Sequence, residues 1–200
     1  MSKILDTPQI YNLIQQLFSI GRIRAARCIE KILSENSRGR VLDVGCGTAR
    51  YAFLFKSRYV GIDVNHRYFA GKSQPGARFV CGDATLLPFK DAAFDFVYSV
   101  VSFHHISIEN TRSALKEIVR VCKSGAPVVI VDGLLPESNL DLPGRIICAL
   151  DRGKHFKRRE EFENVLRAYF DITDSRHVEY SYPYNIHAFI LCAKESARRV

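Results

Sequence analysis

The stretch Val41-Leu42-Asp43-Val44-Gly45-Cys46-Gly47-Thr48-Ala49 decides the fold of this 200-residue chain. Its apolar start predicts a short strand that runs into a glycine turn and then into a helix over residues 48–57. Gly45 permits a tight turn, and Gly47 has no side chain, so the backbone can approach a ligand there. Unpaired N–H groups at the start of the next helix would face the same space. An ordinary strand–helix turn is the alternative interpretation of the glycine pattern alone.

Strand and helix patterns alternate on both sides of this stretch. Apolar runs predict strands over residues 40–44, 59–62, 78–81, 94–101 and 128–131. Helical spacing predicts helices over residues 7–18, 23–33, 111–123, 146–150 and around 162–170, with Gly21 separating the first two. Strands over residues 172–180 and 185–193 flank the turn Tyr182-Pro183-Tyr184 and form a hairpin. The sequence therefore predicts an α/β fold: a doubly wound, mostly parallel sheet that ends in an antiparallel hairpin.

Two aspartates end the second and third predicted strands. Asp63 can accept hydrogen bonds from both hydroxyls of a ribose, although capping of the helix after Asn65 is an alternative role. Asp83 can accept from an adenine amino group, although a turn aspartate is again the alternative. The carboxyl ends of parallel strands share one edge, where such sheets bind ligands. Together with the glycine turn, these two aspartates predict a pocket that binds an adenosine and does not require a pyrophosphate group in the ligand.

Composition narrows the class of protein. Hydrophobic residues make up 47% of the chain and charged residues 25%, which predicts one folded domain. No apolar run is long enough for a membrane span, and residues 1–8 lack a signal-peptide layout, so we expect a cytoplasmic location. The six cysteines form no CxxC and match no zinc template, so we expect reduced thiols and no metal. The net charge of +8 favours anionic partners, nucleic acid among them.

The order of five motifs resembles the class I S-adenosylmethionine-dependent methyltransferases. The motifs are DVGCG, GIDV, GDA, FDFVYS and LKEIVRVCKSGAPVVI, and the resemblance covers residues 38–135 closely and the remainder loosely. Many members have a third glycine where this chain has Ala49, which is small enough for close helix packing. A dinucleotide-binding oxidoreductase would need that third glycine one position further on, where this chain has Arg50.

The resemblance implies a seven-stranded Rossmann-like sheet, a cofactor and roles for particular residues. It places the Gly45–Gly47 loop beside the methionine part of S-adenosylmethionine, Asp63 on the ribose and Asp83 on the adenine amine. The expected cofactor-binding residues are Asp43, Gly45, Cys46, Gly47, Asp63, Val64, Asp83, Ala84 and Ser99. We expect a single methyltransferase domain over residues 1–200. Its parts would be an N-terminal helical cap (1–36), a cofactor-binding core (38–133), a variable substrate-side segment (134–158) and a closing helix with the hairpin (159–200).

A histidine pair follows the fourth predicted strand. A hydroxyl acceptor needs a base, and histidine exchanges protons near neutral pH, so His104 and His105 are the candidate catalytic residues. Resemblance to the family favours His105. The alternative is that the pair shapes the pocket or caps the next helix.

The acceptor is the least determined part of the prediction. The chain has Ser99-Val100-Val101-Ser102 where DNA amino-methyltransferases carry a (D/N/S)PP(Y/F) motif, which argues against DNA. We expect the acceptor to lie against the N-terminal helices and residues 134–158, where apolar residues mix with the basic side chains of Arg152, Lys154 and Arg158. This mixture suits an amphiphilic or anionic small molecule. A tRNA or RNA acceptor and a non-catalytic partner subunit that binds the cofactor are the two alternatives.

Overall fold

The computed structural model describes residues 19–71, 75–151 and 153–198. The strands are β1 (Val41–Val44), β2 (Tyr59–Asp63), β3 (Arg78–Cys81), β4 (Phe96–Val100), β5 (Pro127–Gly133), β6 (Phe170–His177) and β7 (Ile186–Ala193). The α-helices are α1 (Ser19–Asn36), α2 (Ile108–Val121), α3 (Leu142–Leu150) and α4 (Arg159–Arg167). Short 3₁₀ helices cover Ala52–Leu54, Lys56–Arg58, His66–Tyr68, Phe103–His105 and Glu195–Arg198.

The seven strands form one sheet in the order β3-β2-β1-β4-β5-β7-β6. Strands β1 to β5 run parallel, and β7 pairs antiparallel with both β5 and β6. The predicted fold class and the terminal hairpin are therefore confirmed. The chain order reverses between β1 and β4, and a crevice opens at the carboxyl ends of strands at such a reversal.

The predicted helix over residues 48–57 is wrong. Turns and two 3₁₀ helices occupy this stretch, because Ala49 (φ +55°) and Lys56 (φ +52°) adopt left-handed backbone conformations that an α-helix cannot contain. The interruption at Gly21 is also wrong, since α1 runs through that residue. One glycine costs a helix only about 1 kcal/mol, which packing of the rest of the helix offsets.

Two other helices begin earlier than the sequence analysis predicts. The Ser107 hydroxyl accepts a hydrogen bond from the N–H of Asn110 and so caps α2. Asp141 caps α3 in the same way, accepting from the N–H of Gly144, and Pro143 lies in the first turn. The predicted helix over residues 7–18 lies outside the described residues.

The core lies on both faces of the sheet. One layer packs α2 and α4 against β4 and β5, with Leu115, Ile118 and Phe162 almost fully buried. The other layer packs α1 and the stretch after the glycine turn against the opposite face, where the Phe55 ring lies 5.4 Å from that of Tyr98. Within the described residues, every helix falls short of the length and apolarity that a bilayer crossing requires.

Candidate cofactor and acceptor site

The glycine turn after β1 lies where the strand order reverses. The N–H groups of Gly45 and Cys46 donate to the carbonyl of Ile62, at 2.9 and 3.0 Å, and tie the turn to the end of β2. Gly45 has φ +71°, and a Cβ there would lie 2.0 Å from the Ser102 hydroxyl oxygen. Only glycine fits this position, because both the backbone conformation and the close approach of Ser102 exclude a side chain.

Asp63 connects this turn to the end of β2. Its Oδ2 accepts from the N–H of Gly47 at 2.8 Å, and its Oδ1 accepts from the N–H of Asn65 at 2.9 Å. The side chain that caps the following 3₁₀ helix is that of Asn65, so the capping alternative for Asp63 does not apply. Each carboxylate oxygen has two acceptor directions, which leaves Asp63 able to accept further hydrogen bonds from a ligand.

Asp83 follows β3 at the same edge of the sheet. The N–H of Gly82 donates to the Asp63 carbonyl at 3.1 Å and holds the two strand ends together. Oδ1 of Asp83 accepts from the N–H and the hydroxyl of Thr85, at 2.8 and 2.9 Å, so the carboxylate also organises its own turn. The side chain of Asp83 is exposed, as is that of Val64, whereas Ala84 is half-buried against the core.

Asp43 is a buried carboxylate beneath the glycine turn. Its Oδ2 accepts from the phenol groups of Tyr59 and Tyr98, at 2.7 and 2.9 Å. Burial raises the pKa of Asp43 from 3.8 to about 7, and the two phenol hydrogen bonds only partly oppose that rise. Asp43 therefore exchanges a proton near neutral pH, and binding of a cation next to it would favour its charged form.

A cavity of about 420 Å³ lies between the glycine turn, α1 and the terminal hairpin. The predicted residues Asp43, Gly45, Cys46 and Gly47 line it, together with Ala25, Ala26, Ile29, Thr48, Arg50, Tyr51, Val100, Val101, Asp151, Ser181, Tyr184 and Ile186. Asp63, Asp83 and Ser99 are not among the lining residues. The structure thus brings the predicted methionine-side residues together in one cavity and leaves the two adenosine-side aspartates at the adjoining strand ends.

Ser99 lies within β4 and is 1% exposed. Its hydroxyl oxygen has no hydrogen-bond partner in the described part of the chain. The next two residues along the chain, Val100 and Val101, line the cavity instead. A contact between Ser99 and a cofactor stays a prediction.

His104 is buried between two carboxylates. Its Nδ1 lies 2.5 Å from Oδ1 of Asp132, at the end of β5, and its Nε2 lies 3.6 Å from Oδ1 of Asp151. Burial lowers the pKa of His104, but these carboxylates outweigh that effect and raise the pKa from 6.5 to about 9. His104 is thus mostly protonated at neutral pH, a state in which it cannot accept a proton.

His105 is exposed, and its ring centroid lies 4.1 Å from that of His104. Partial desolvation and the neighbouring positive charge of His104 lower its pKa. The neutral ring can accept a proton at pH 7. The two candidate histidines therefore differ chemically, and only His105 combines the neutral form with access to solvent.

Lys157 holds the substrate-side segment against the end of β4. Its side chain is buried, and its ammonium donates to the carbonyls of Phe103, Ile106 and His155, at 2.9, 3.1 and 3.0 Å. Burial lowers its pKa. Sequence analysis assigned no role to Lys157, but in the structure its ammonium group holds three backbone carbonyls together inside the protein.

A second cavity of about 830 Å³ lies beside α3. Its lining combines apolar side chains such as Leu142 and Ile146 with the basic side chains of Arg145, Lys154 and Arg158. Asp151 lines both cavities and stands between them. Of the three predicted anion-binding residues, Lys154 and Arg158 thus share one surface, and Arg152 lies outside the described residues.

Sequence analysis missed Asp132, Asp151 and Lys157 as site residues. Asp132 could have been recognised as a site residue from the sequence, because it is the only charged residue in the apolar run of β5 and lies at the carboxyl end of that strand. Asp151 carried none, since an aspartate after a helix is most simply a surface residue. Its position next to His104 depends on packing between segments far apart in the chain.

Comparison with known proteins indicates the class of protein to which this chain is related. Residues 42–130 match the family model described as a methyltransferase domain. This part of the chain is a methyltransferase domain, and the match supports the resemblance to the class I S-adenosylmethionine-dependent methyltransferases drawn from the motifs.

Three similar proteins show the range of the class. The chain is 33% identical to a tRNA (carboxymethyluridine(34)-5-O)-methyltransferase of Arabidopsis thaliana, across 65% of this chain and 35% of that protein. It is also 33% identical to a demethylmenaquinone methyltransferase of Streptomyces avermitilis, across 64% and 57%. A SAM-dependent methyltransferase structure from Methanosarcina mazei matches with a TM-score of 0.64 at 21% identity, across 82% and 96%.

The match to these relatives is partial. The chain spans between about a third and three fifths of the length of the curated relatives named here. The match to the archaeal structure shows the fold, and the fold and family together imply use of S-adenosylmethionine.

Proposed function

We propose that the chain transfers the methyl group of S-adenosylmethionine to a small-molecule acceptor of amphiphilic or anionic character. The observation that supports this most is the cavity of about 420 Å³, lined on one side by the glycine turn and on the other by α1, Asp151 and the hairpin. A cofactor on the turn would present its methyl group to a half-open space of small-molecule size.

The residues at the strand ends fit the parts of the cofactor. The carboxylate of Asp63 would accept from the ribose hydroxyls while it holds the N–H of Gly47. The exposed carboxylate of Asp83 would accept from the adenine amine, with Val64 and Ala84 beside the base. Asp43, Gly45, Cys46 and Gly47 would surround the methionine part, where the carboxylate of Asp43 complements a positive charge.

Positioning carries most of the chemistry in this proposal. When bound, the cofactor supplies a methyl group on a sulfonium, which is already a good leaving group. The cavity would hold the acceptor in line with the methyl group, and such positioning can supply about 7–11 kcal/mol of a barrier. His105 would accept the proton of an acceptor hydroxyl because its lowered pKa keeps the ring in the neutral form, whereas the protonated His104 would hold the surrounding segment in place.

The acceptor side combines two properties. Leu142 and Ile146 of α3 expose apolar surface, at 63% and 45%, and the nearby Arg145 and Lys154 carry positive charge into the second cavity. An apolar body with an acidic group satisfies both, since burial removes apolar area from water and an arginine pairs with a carboxylate or phosphate. Asp151 lines both cavities, so a molecule bound in the second one would reach towards the methyl group past this residue.

An RNA acceptor is the second candidate. The net charge of +8 favours it, and a plant relative is named for tRNA methylation. A small molecule fits the size of the first cavity, about 420 Å³, more simply, because a nucleotide within RNA would bring its charged backbone with it. A cofactor-binding partner subunit without turnover of its own is the third candidate.

Labelling from a lysate would separate these candidates. Purified protein would be incubated with methyl-labelled S-adenosylmethionine and host lysate, and the label would be fractionated into solvent-extractable, RNA and protein pools. The same incubation with Asp63→Ala protein would measure the background labelling of the lysate. We expect label in the extractable pool. Label in RNA would support the second candidate. No label above background, with cofactor binding intact, would favour the partner subunit.

A further inference from the structure

Three side chains that can ligate a metal lie close together at the edge of the 420 Å³ cavity. They are His104, His105 and Asp151, and Asp151 lines that cavity. Nε2 of His104, a ring nitrogen of His105 and a carboxylate oxygen of Asp151 all lie within 4.8 Å of one another. They come from two separate segments, the 3₁₀ helix after β4 and the end of α3. Two imidazoles and one carboxylate form a donor set that first-row transition metals bind, with coordination positions left for other ligands.

The distance between two of these donors suits a shared ion. Nε2 of His104 and Oδ1 of Asp151 are 3.6 Å apart, which is too long for a hydrogen bond. Two donors that each lie about 2.1 Å from one tetrahedral ion are themselves separated by about 3.4 Å. Small rotations of the exposed His105 and the half-buried Asp151 would complete the set.

A buried carboxylate orients the central donor. Asp132, 2% exposed, lies 2.5 Å from Nδ1 of His104 and also accepts from the N–H of Gly133 at 2.8 Å. This contact holds the Nδ1 proton and points Nε2 at Asp151. Metal-binding histidines have this arrangement, because a carboxylate on the second ring nitrogen fixes the tautomer and increases the basicity of the donor.

Three contacts from residues 153–156 hold His104 in place. The His104 ring stacks on Phe156, with centroids 4.6 Å apart, and its carbonyl accepts from the N–H of His155. Gly153 packs so closely that an added Cβ would lie 2.1 Å from Cδ2 of His104. His104, the central donor, therefore sits in a fixed position, which lowers the entropic cost of binding an ion.

We propose that His104, His105 and Asp151 bind a divalent transition-metal ion such as Zn²⁺ or Co²⁺, with Asp132 as the positioning residue behind His104. Of the three, Asp151 is the residue that lines the cavity at the glycine turn, so an ion bound to it would lie at the edge of that space with coordination positions left open. An acceptor oxygen would occupy one of them. The contribution of the ion to methyl transfer rests on the proposed function, whereas its binding does not. With the ion bound, His105 is a ligand, and the ion replaces it in favouring ionisation of the acceptor hydroxyl.

Cobalt binding tests the site directly. Full-length protein would be freed of metal with EDTA, passed through gel filtration and titrated with Co²⁺ near pH 7.5 while visible d–d absorption is recorded. We expect saturation at one Co²⁺ per chain and displacement by Zn²⁺. We also expect at least a tenfold loss of affinity in His105→Gln and in Asp151→Asn, whose altered side chains are both accessible.

His177→Gln is the matched control. It removes an exposed histidine whose ring lies 5.1 Å from that of His187, the second histidine pair among the described residues. Binding of S-adenosylhomocysteine, measured on the same variants, reports folding and the cofactor site. Intact nucleoside binding without Co²⁺ binding would overturn the metal site alone, whereas Co²⁺ binding without nucleoside binding would count against the proposed function alone.

Three results would refute the metal site. One is the absence of saturable binding, which would leave only a proton between His104 and its two carboxylates. Another is a near-ultraviolet thiolate charge-transfer band, which would assign the ion to the free cysteines. The third is loss of binding in His177→Gln with retention in Asp151→Asn.

Discussion

His104 and Asp132 form a buried pair in which Nδ1 of the imidazole lies 2.5 Å from Oδ1 of the carboxylate, each side chain being 2% exposed. The pair joins the 3₁₀ helix after β4 to the end of β5. It therefore fixes the backbone on which both candidate histidines lie.

Removing one member of this pair should destabilise the fold strongly. In Asp132→Ala, the charge of His104 would stay buried without its closest partner, which costs about 3–5 kcal/mol. Chemical denaturation in the presence of EDTA measures this loss. Asp151→Ala is the comparison, because its carboxylate is 30% exposed and should cost less than half as much. Equal losses in the two variants would contradict the ranking.

Asp63→Ala should weaken binding of S-adenosylmethionine about ten- to a hundredfold, which corresponds to the loss of hydrogen bonds worth about 1.5–3 kcal/mol. The substitution removes the proposed acceptor for the ribose and frees the N–H of Gly47. Isothermal titration calorimetry measures the change. Asp83→Ala should lose less affinity for S-adenosylmethionine, since that carboxylate is exposed and would contact only the adenine. Unchanged affinity in Asp63→Ala would rule out this role.

Asp43 should make the stability of the ligand-free protein depend on pH. Its pKa is about 7 in the fold and 3.8 when unperturbed, so the folded state binds the additional proton between these values. The free energy of unfolding therefore falls as pH rises from about 4 to 7, by about 4 kcal/mol, and this contribution is constant above pH 7. Asp43→Asn should remove this fall. If the unfolding free energy of Asp43→Asn and of the unchanged protein depended on pH in the same way, Asp43 would not have the raised pKa assigned to it.

Lys157→Met should cost about 3 kcal/mol, because three backbone carbonyls lose a charged donor inside the protein. Thermal unfolding measures the loss. Lys154→Met is the matched control, since Lys154 is exposed and its replacement should stay within about 0.5 kcal/mol. A lysine that merely faced solvent at position 157 would behave like this control.

The sequence was most informative where structure depends on near neighbours. Alternating apolar segments specify a parallel sheet, and Asp63 and Asp83 reach the same edge because each directly follows a strand. The fold class and the common position of these strand ends were predictable for this reason. The stretch after Gly47 was not, because nothing in the residue types indicates the left-handed conformation of Ala49.

The acceptor side depends on contacts between distant segments. His104 could be selected from its position after β4, but its protonation depends on Asp132 and Asp151, which folding brings to it. Lys157 lies in a run of basic residues that typically faces solvent, and only the packing of residues 153–157 against the 3₁₀ helix turns its side chain inward. A single sequence contains no local signal for either arrangement.

The contact between Gly153 and His104 has an evolutionary consequence. Because a Cβ at position 153 would overlap the imidazole, the two positions cannot vary independently. A homologue that gains a side chain at position 153 must carry a smaller residue at position 104 or shift the segment between them. Paired substitution at these two positions would therefore mark the lineages in which the acceptor side has been rebuilt.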